Sequence, residues 1–135
     1  MRPAFLRDGN NLMGAPLKIL AVDDEPSIAQ SMRFIFERPL YELASAQDGE
    51  AALARLTIDP NSFDVIITDN NMPGVSGIQL VRQLRDRGFR GKIMVLSAHL
   101  SPEVRAAYEA MEVDAMIDKP FSIKALRQTL DRVAA

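Results

Sequence analysis

From Leu17 onward, short apolar runs alternate with stretches in which apolar residues recur every three or four positions. The runs are Leu17–Val22, Tyr41–Ala46, Phe63–Thr68, Lys92–Leu96 and Val113–Ile117. Apart from the weaker Tyr41–Ala46, they are near-continuously apolar and rich in branched residues. That is the pattern of strands buried on both faces of a parallel sheet.

The intervening stretches predict helices with recognisable starts and stops. Pro26 opens the first, at a position where its missing N–H costs nothing. Ile28, Met32, Ile35 and Phe36 share one face, and Pro39 is a stop. Asp48-Gly49 opens a second with Ala52, Leu53 and Leu56, closed before Asp59-Pro60-Asn61. Ser76 with Gln79 forms a capping-box pattern ahead of Ile78, Val81 and Leu84. Ser101-Pro102 begins a fourth helix reaching about Ala110. Ser122 caps a last one, with Ile123, Leu126, Leu130 and Val133 on one face.

Strand and helix alternate throughout, and right-handed crossovers then dictate the architecture. The prediction is an α/β fold: a three-layer αβα sandwich around a doubly wound five-stranded parallel sheet. The expected strand order is 2-1-3-4-5, flavodoxin-like. Residues 1–16 lack periodicity and carry Pro3, Gly9, Asn10, Asn11, Gly14 and Pro16, so they read as a flexible leader. Residues 17–135 read as one domain.

Composition narrows the chemistry. The chain has 135 residues, 16 Lys+Arg against 18 Asp+Glu, a net charge of −2, one histidine and no cysteine. The missing cysteines exclude disulfides, thiolate metal sites and Cys nucleophiles. A lone His99 excludes an intrachain multi-histidine metal site. Balanced charge argues against direct nucleic-acid binding. No apolar run approaches the ~20 residues that span a bilayer, nor is there a signal-peptide core. The expectation is a cytoplasmic chain with no membrane contact.

Polar residues interrupt the apolar runs at their carboxyl ends, where ligands bind in such sheets. Asp23 and Asp24 follow the first strand, Asp69 the third, Ser97 the fourth and Lys119 the fifth. In the expected strand order these ends are neighbours. Three gathered carboxylates repel one another and favour a hard cation, Mg²⁺ or Mn²⁺, which a phosphate often completes. Lys119 supplies a point charge for that phosphate and Ser97 a hydroxyl donor. A carboxylate beside metal and ammonium can attack phosphorus and form an acyl phosphate.

These residues resemble the receiver domain of two-component response regulators, the chemotaxis-regulator-like family. The likeness covers about residues 17–134. Asp23-Asp24 is similar to the family's acidic pair, and Asp69 in ITDNNMPGVSG to its phospho-acceptor. Met72-Pro73-Gly74 and Gly77, then Ser97-Ala98, then Lys119-Pro120-Phe121 follow in the family's order.

The resemblance implies phosphoryl transfer to Asp69 from a phosphohistidine on a sensor histidine kinase or phosphotransfer protein. It implies a phospho-acceptor signalling domain, not an enzyme. Mg²⁺ would be held by Asp24, Asp69 and the backbone carbonyl of Asn71, with Asp23 acting mostly through water. Lys119 would contact the acceptor and then the phosphate. Ser97 would move toward the phosphoryl oxygen and re-shape the face of the fourth helix, fifth strand and fifth helix. There a downstream effector, or a second copy in a homodimer, would dock. The family's switch aromatic, three residues before the lysine, is Met116 here. His99 is a candidate modulator of phosphate lifetime.

Other readings are weaker. A flavodoxin-like electron carrier would not place Asp-Asp-Glu-Pro where a flavin phosphate binds. A haloacid-dehalogenase-like phosphatase needs an acid where Asn71 stands. A phosphorylation-independent scaffold lacks support because every acceptor-site residue type is present. Asn70 reads as an exposed loop amide, and Met32, Met94, Met111 and Met116 as apolar filler. Arg82, Arg85, Arg87 and Arg90 read as a solvated face.

Overall fold

The computed structural model describes residues 15–60 and 62–135. The expected leader lies outside the described residues, apart from Ala15 and Pro16. Strands β1 (Leu17–Val22), β2 (Tyr41–Ala46), β3 (Val65–Asp69), β4 (Lys92–Ser97) and β5 (Ala115–Asp118) alternate with five helices. These are α1 (Pro26–Ile35), α2 (Gly49–Ile58), α3 (Gly77–Asp86), α4 (Pro102–Ala110) and α5 (Ile123–Ala134). The strands pair in parallel in the order β2-β1-β3-β4-β5, as the alternation predicted.

Successive strand residues face opposite sides of the sheet, and both sides are apolar. Leu17, Ile19, Ala21, Val65, Ile67, Met94 and Leu96 pack with Met32 and Ile35 of α1 and Leu126 and Leu130 of α5. Leu20, Val22, Ile66, Ile93 and Val95 pack against α2, α3 and α4 through Ala52, Leu53, Leu56, Leu80, Val81, Leu84 and Tyr108. Each fully buried Leu or Ile stabilises the fold by about 1.5–3 kcal/mol. The two cores therefore fix which helix lies on which face. Of the methionines read as filler, Met32 and Met94 are buried, while Met111 and Met116 are half-buried against the second core.

Two strands begin later than the apolar runs suggested. Expected over Phe63–Thr68, β3 starts at Val65. Ahead of it, the Asp64 N–H donates to the Lys18 carbonyl (2.8 Å), while the Asp64 carboxylate accepts from the Lys18 N–H (3.0 Å). A side chain thus takes over part of the ladder. Expected from Val113, β5 starts at Ala115 because α4 ends in a left-handed turn. Glu112 has φ 60°, its N–H donates to Glu109, and the Val113 N–H donates to Tyr108. That is a Schellman motif with glutamate where glycine is usual, and it absorbs Val113. At the other end, β4 includes Ser97 and β3 includes Asp69.

The predicted capping box at Ser76 and Gln79 is present, and Ser101 and Ser122 cap α4 and α5. Among the described residues no helix is long and apolar enough to cross a membrane.

Candidate functional site

Strand register brings the polar ends level. Val22 lies opposite Thr68, Asp69 opposite Leu96, and Ser97 opposite Asp118. Asp23 leaves β1 with its N–H still donating to Ala46 at 3.1 Å. Its Oδ1 accepts from the Glu25 N–H at 2.8 Å, a turn that leads into α1. Asp69, the last residue of β3, is 3% exposed, and its carboxylate accepts from the Asn71 backbone N–H. One carboxylate oxygen from each of Asp23, Asp24 and Asp69 lies within 4.8 Å of the others. Asp24 is exposed, whereas the other two are buried.

Lys119 follows β5, anchored by its N–H donating to the Ser97 carbonyl at 2.7 Å. Its Nζ lies 3.1 Å from Asp69 Oδ1, 3.2 Å from Glu25 Oε1 and 3.6 Å from Asp23 Oδ2. Glu25 is a partner that the sequence did not single out. Its position beside Asp23-Asp24 was the only signal.

Burial drives the electrostatics. It raises the Asp23 and Asp69 carboxyls above their ordinary values, against the pull of Lys119. Burial also works against the Lys119 ammonium, but Asp69, Asp23 and Glu25 outweigh it and raise its pKa. Asp23 Oδ2 is buried and accepts no hydrogen bond. A buried carboxylate oxygen left in that state is costly. Together with the converging carboxylates, it makes the cluster a fit for a divalent cation.

Ser97 is fully buried beside the cluster. Its Oγ–H donates to the His99 carbonyl (2.9 Å) and its Oγ accepts from the His99 N–H (3.1 Å). The hydroxyl is thus engaged by the backbone leading into α4. His99 and Asn71 are themselves exposed, and Met116 is half-buried against the α3–α4 side of the core.

Asn70 is not the exposed amide expected. It is half-buried, and its Oδ1 accepts from the Tyr108 hydroxyl at 2.5 Å. Tyr108 is 0% exposed, and burial raises its pKa above the ordinary value. The helical spacing of Val104, Tyr108 and Met111 could have placed Tyr108 in the core. Only the general need of a buried phenol for a partner pointed to a polar neighbour.

The arginine face also needs correction. Arg85 is half-buried and donates to the carbonyls of Met111, Phe89 and Glu112. Arg82, Arg87 and Arg90 are exposed as expected, although Arg87 also donates to Leu53 and Thr57.

The family description "Response regulator receiver domain" matches residues 19–131. This chain belongs to that family. Receivers are phospho-acceptor signalling modules of two-component phosphorelays, not enzymes in the ordinary sense. This receiver is 36% identical to the chemotaxis protein CheY4 of Vibrio cholerae, covering 88% of this chain and 99% of that one, with a TM-score of 0.80. The receiver domain of Francisella response regulator 1452 is 34% identical, covers 87% of this chain and 96% of that one, and gives a TM-score of 0.77. Response regulator MprA of Mycolicibacterium vanbaalenii is 34% identical over 111 residues, 82% of this chain and 47% of that protein. For ResD of Bacillus subtilis the identity is 36% over 105 residues, 78% of this chain and 42% of that protein. The receiver therefore spans about half the length of these curated relatives.

Proposed function

We propose that Asp69 accepts a phosphoryl group from a phosphohistidine on a sensor histidine kinase or phosphotransfer protein, in a Mg²⁺-dependent reaction. The observation that carries this reading is the meeting of three carboxylates within 4.8 Å with an ammonium 3.1 Å from Asp69.

In this reading Asp69 attacks phosphorus. A carboxylate O–P bond forms, the histidine N–P bond breaks, and the histidine leaves with its electron pair. Asp24, Asp69 and the Asn71 backbone carbonyl would hold Mg²⁺, with Asp23 contributing mostly through water. A divalent ion there offsets carboxylate repulsion and stabilises charge on the phosphoryl oxygens. Lys119 neutralises the acceptor first and the bound phosphate afterwards. His99, exposed two residues after Ser97, is the candidate modulator of water access to the aspartyl phosphate.

An apolar hollow of about 380 Å³ borders Lys119, formed by Ile28, Ile35, Ala98, Phe121 and Ile123. A phosphohistidine-bearing partner approaching Asp69 would cover it. For Ser97 to reach a phosphoryl oxygen, its hydroxyl must leave the His99 carbonyl. That exchange moves the loop into α4 and re-shapes the α4–β5–α5 face, where a downstream effector or a second copy docks. Phosphate thus favours one of two conformers by binding it better.

Beryllofluoride, a phosphoryl mimic, tests this by NMR. With Mg²⁺ present, amide shifts are expected around Asp69, Ser97 and Lys119 and along α4. Shifts that occur equally without Mg²⁺, or that spare α4, overturn the corresponding part.

A further inference from the structure

We propose that Tyr108 is the positioning residue that couples α4 to the acceptor, through a hydrogen bond to Asn70 that belongs to the unphosphorylated state. This rests on the phospho-acceptor reading above and identifies how that site reaches its output helix.

Asn70 immediately follows Asp69 and is fixed on both sides. Its N–H donates to the Leu96 carbonyl at 2.8 Å, and its carbonyl accepts from the Gly77 N–H at 3.1 Å. It is therefore tied to β4 and to the start of α3. Tyr108 reaches it from α4, which enters from the loop that holds Ser97 through His99.

Space for this contact is built into α3. A Cβ added at Gly77 would lie 2.5 Å from the Tyr108 hydroxyl and 2.7 Å from the Asp69 carbonyl. Only a residue without a side chain lets the phenol approach the acceptor loop. Met116 of β5 packs against the same core cluster as Tyr108. Methionine has no hydroxyl with which to sense the site. In that cluster the polar tip is the Tyr108 hydroxyl, brought from α4.

Because Asn70 is held by the sheet and α3, a displacement of α4 must stretch or break the Tyr108 bond. The hydroxyl is fully buried, so its release is opposed. The bond accordingly favours the conformer without phosphate. By linkage, weakening it strengthens binding of the phosphoryl mimic by the same factor.

Beryllofluoride affinity in Mg²⁺ decides the matter, using the full chain as wild type, Tyr108→Phe, Asn70→Ala and the double variant. Tyr108→Phe is expected to bind about 2- to 10-fold more tightly, the range for one lost neutral hydrogen bond. In the Asn70→Ala background the same change is expected to have no further effect, because the bond is already gone. Hydrogen exchange of α4 amides in the unliganded single variants is expected to quicken. Unchanged or weaker binding by Tyr108→Phe, or a full effect of that change without Asn70, overturns the proposal. If Tyr108→Phe does not fold, unchanged or weaker binding by Asn70→Ala overturns it alone. Failure of the wild type to bind overturns the phospho-acceptor reading itself, which separates the two outcomes.

Discussion

Asp23 and Asp69 sit in a place that disfavours charge. Both have folded-state pKa values raised above the ordinary 3.8, chiefly by burial. A carboxyl in that condition holds more protons folded than unfolded between the two values, so stability falls as pH rises through that interval. The penalty is absent below 3.8 and complete above the raised value. Lys119 runs the other way. Its raised pKa contributes stability that is whole below the ordinary 10.5 and lost only as pH rises through the folded value. At neutral pH the lysine therefore offsets the carboxylates, and the divalent cation proposed for this site would complete the balance. Added Mg²⁺ at a hundredfold excess over its Kd is expected to stabilise the chain by about 2.7 kcal/mol. Thermal melts across pH check the sign. The Mg²⁺ increment is expected to be largest near neutrality and to shrink as acid protonates Asp23 and Asp69. An increment that grows on acidification contradicts this assignment.

Most of the site was legible residue by residue, because a charged residue that ends an apolar strand stands out. Asp23, Asp24, Asp69, Ser97 and Lys119 all declared themselves in that way. Tyr108 did not, since tyrosine on an amphipathic helix counts as an apolar body. Asn70 sat in a loop whose partner is 38 positions away.

Among the elements, α4 has an end that depends on another helix. Its last turn places Glu112 at φ 60°, a conformation unfavourable for a residue with a side chain. Arg85 from α3 braces it by donating to the carbonyls of Met111 and Glu112 at 2.9 and 2.8 Å. Helix ends leave such carbonyls without intrahelical partners. Arg85→Ala is expected to lower stability by about 2 kcal/mol, since hydrogen bonds from charged donors exceed neutral ones. The exposed Arg82→Ala and Arg90→Ala should stay within about 0.5 kcal/mol. Urea midpoints of the three variants make the comparison, and equal values contradict the bracing role. Helix cores, the Ser76 capping box and strand order were readable because they follow periodicity and local chemistry. The start of β5 was not, because a left-handed glutamate leaves no sequence signal of the kind glycine gives.

At the scale of the molecule, the two-sided sheet does the gathering. Apolar side chains on both faces fix the strands in register, and that register delivers the ends of β1, β3 and β5 to one place. The Ser97–His99 and Tyr108–Asn70 bonds then link that place to α4, in a fold whose cores do not include the acceptor site. Sequence patterning predicted the gathering correctly, because it depends only on strand order and on which residues terminate each run. The bonds behind the proposed coupling to α4 needed coordinates. Everything proposed for this site depends on Asp69 taking a phosphoryl group when Mg²⁺ is present. Intact mass after incubation with acetyl phosphate or phosphoramidate tests it most directly, for wild type and Asp69→Asn with and without Mg²⁺. A gain of one phosphoryl group is expected only when both Asp69 and Mg²⁺ are present. No gain in any sample, or a gain that survives loss of Asp69 or of Mg²⁺, contradicts it.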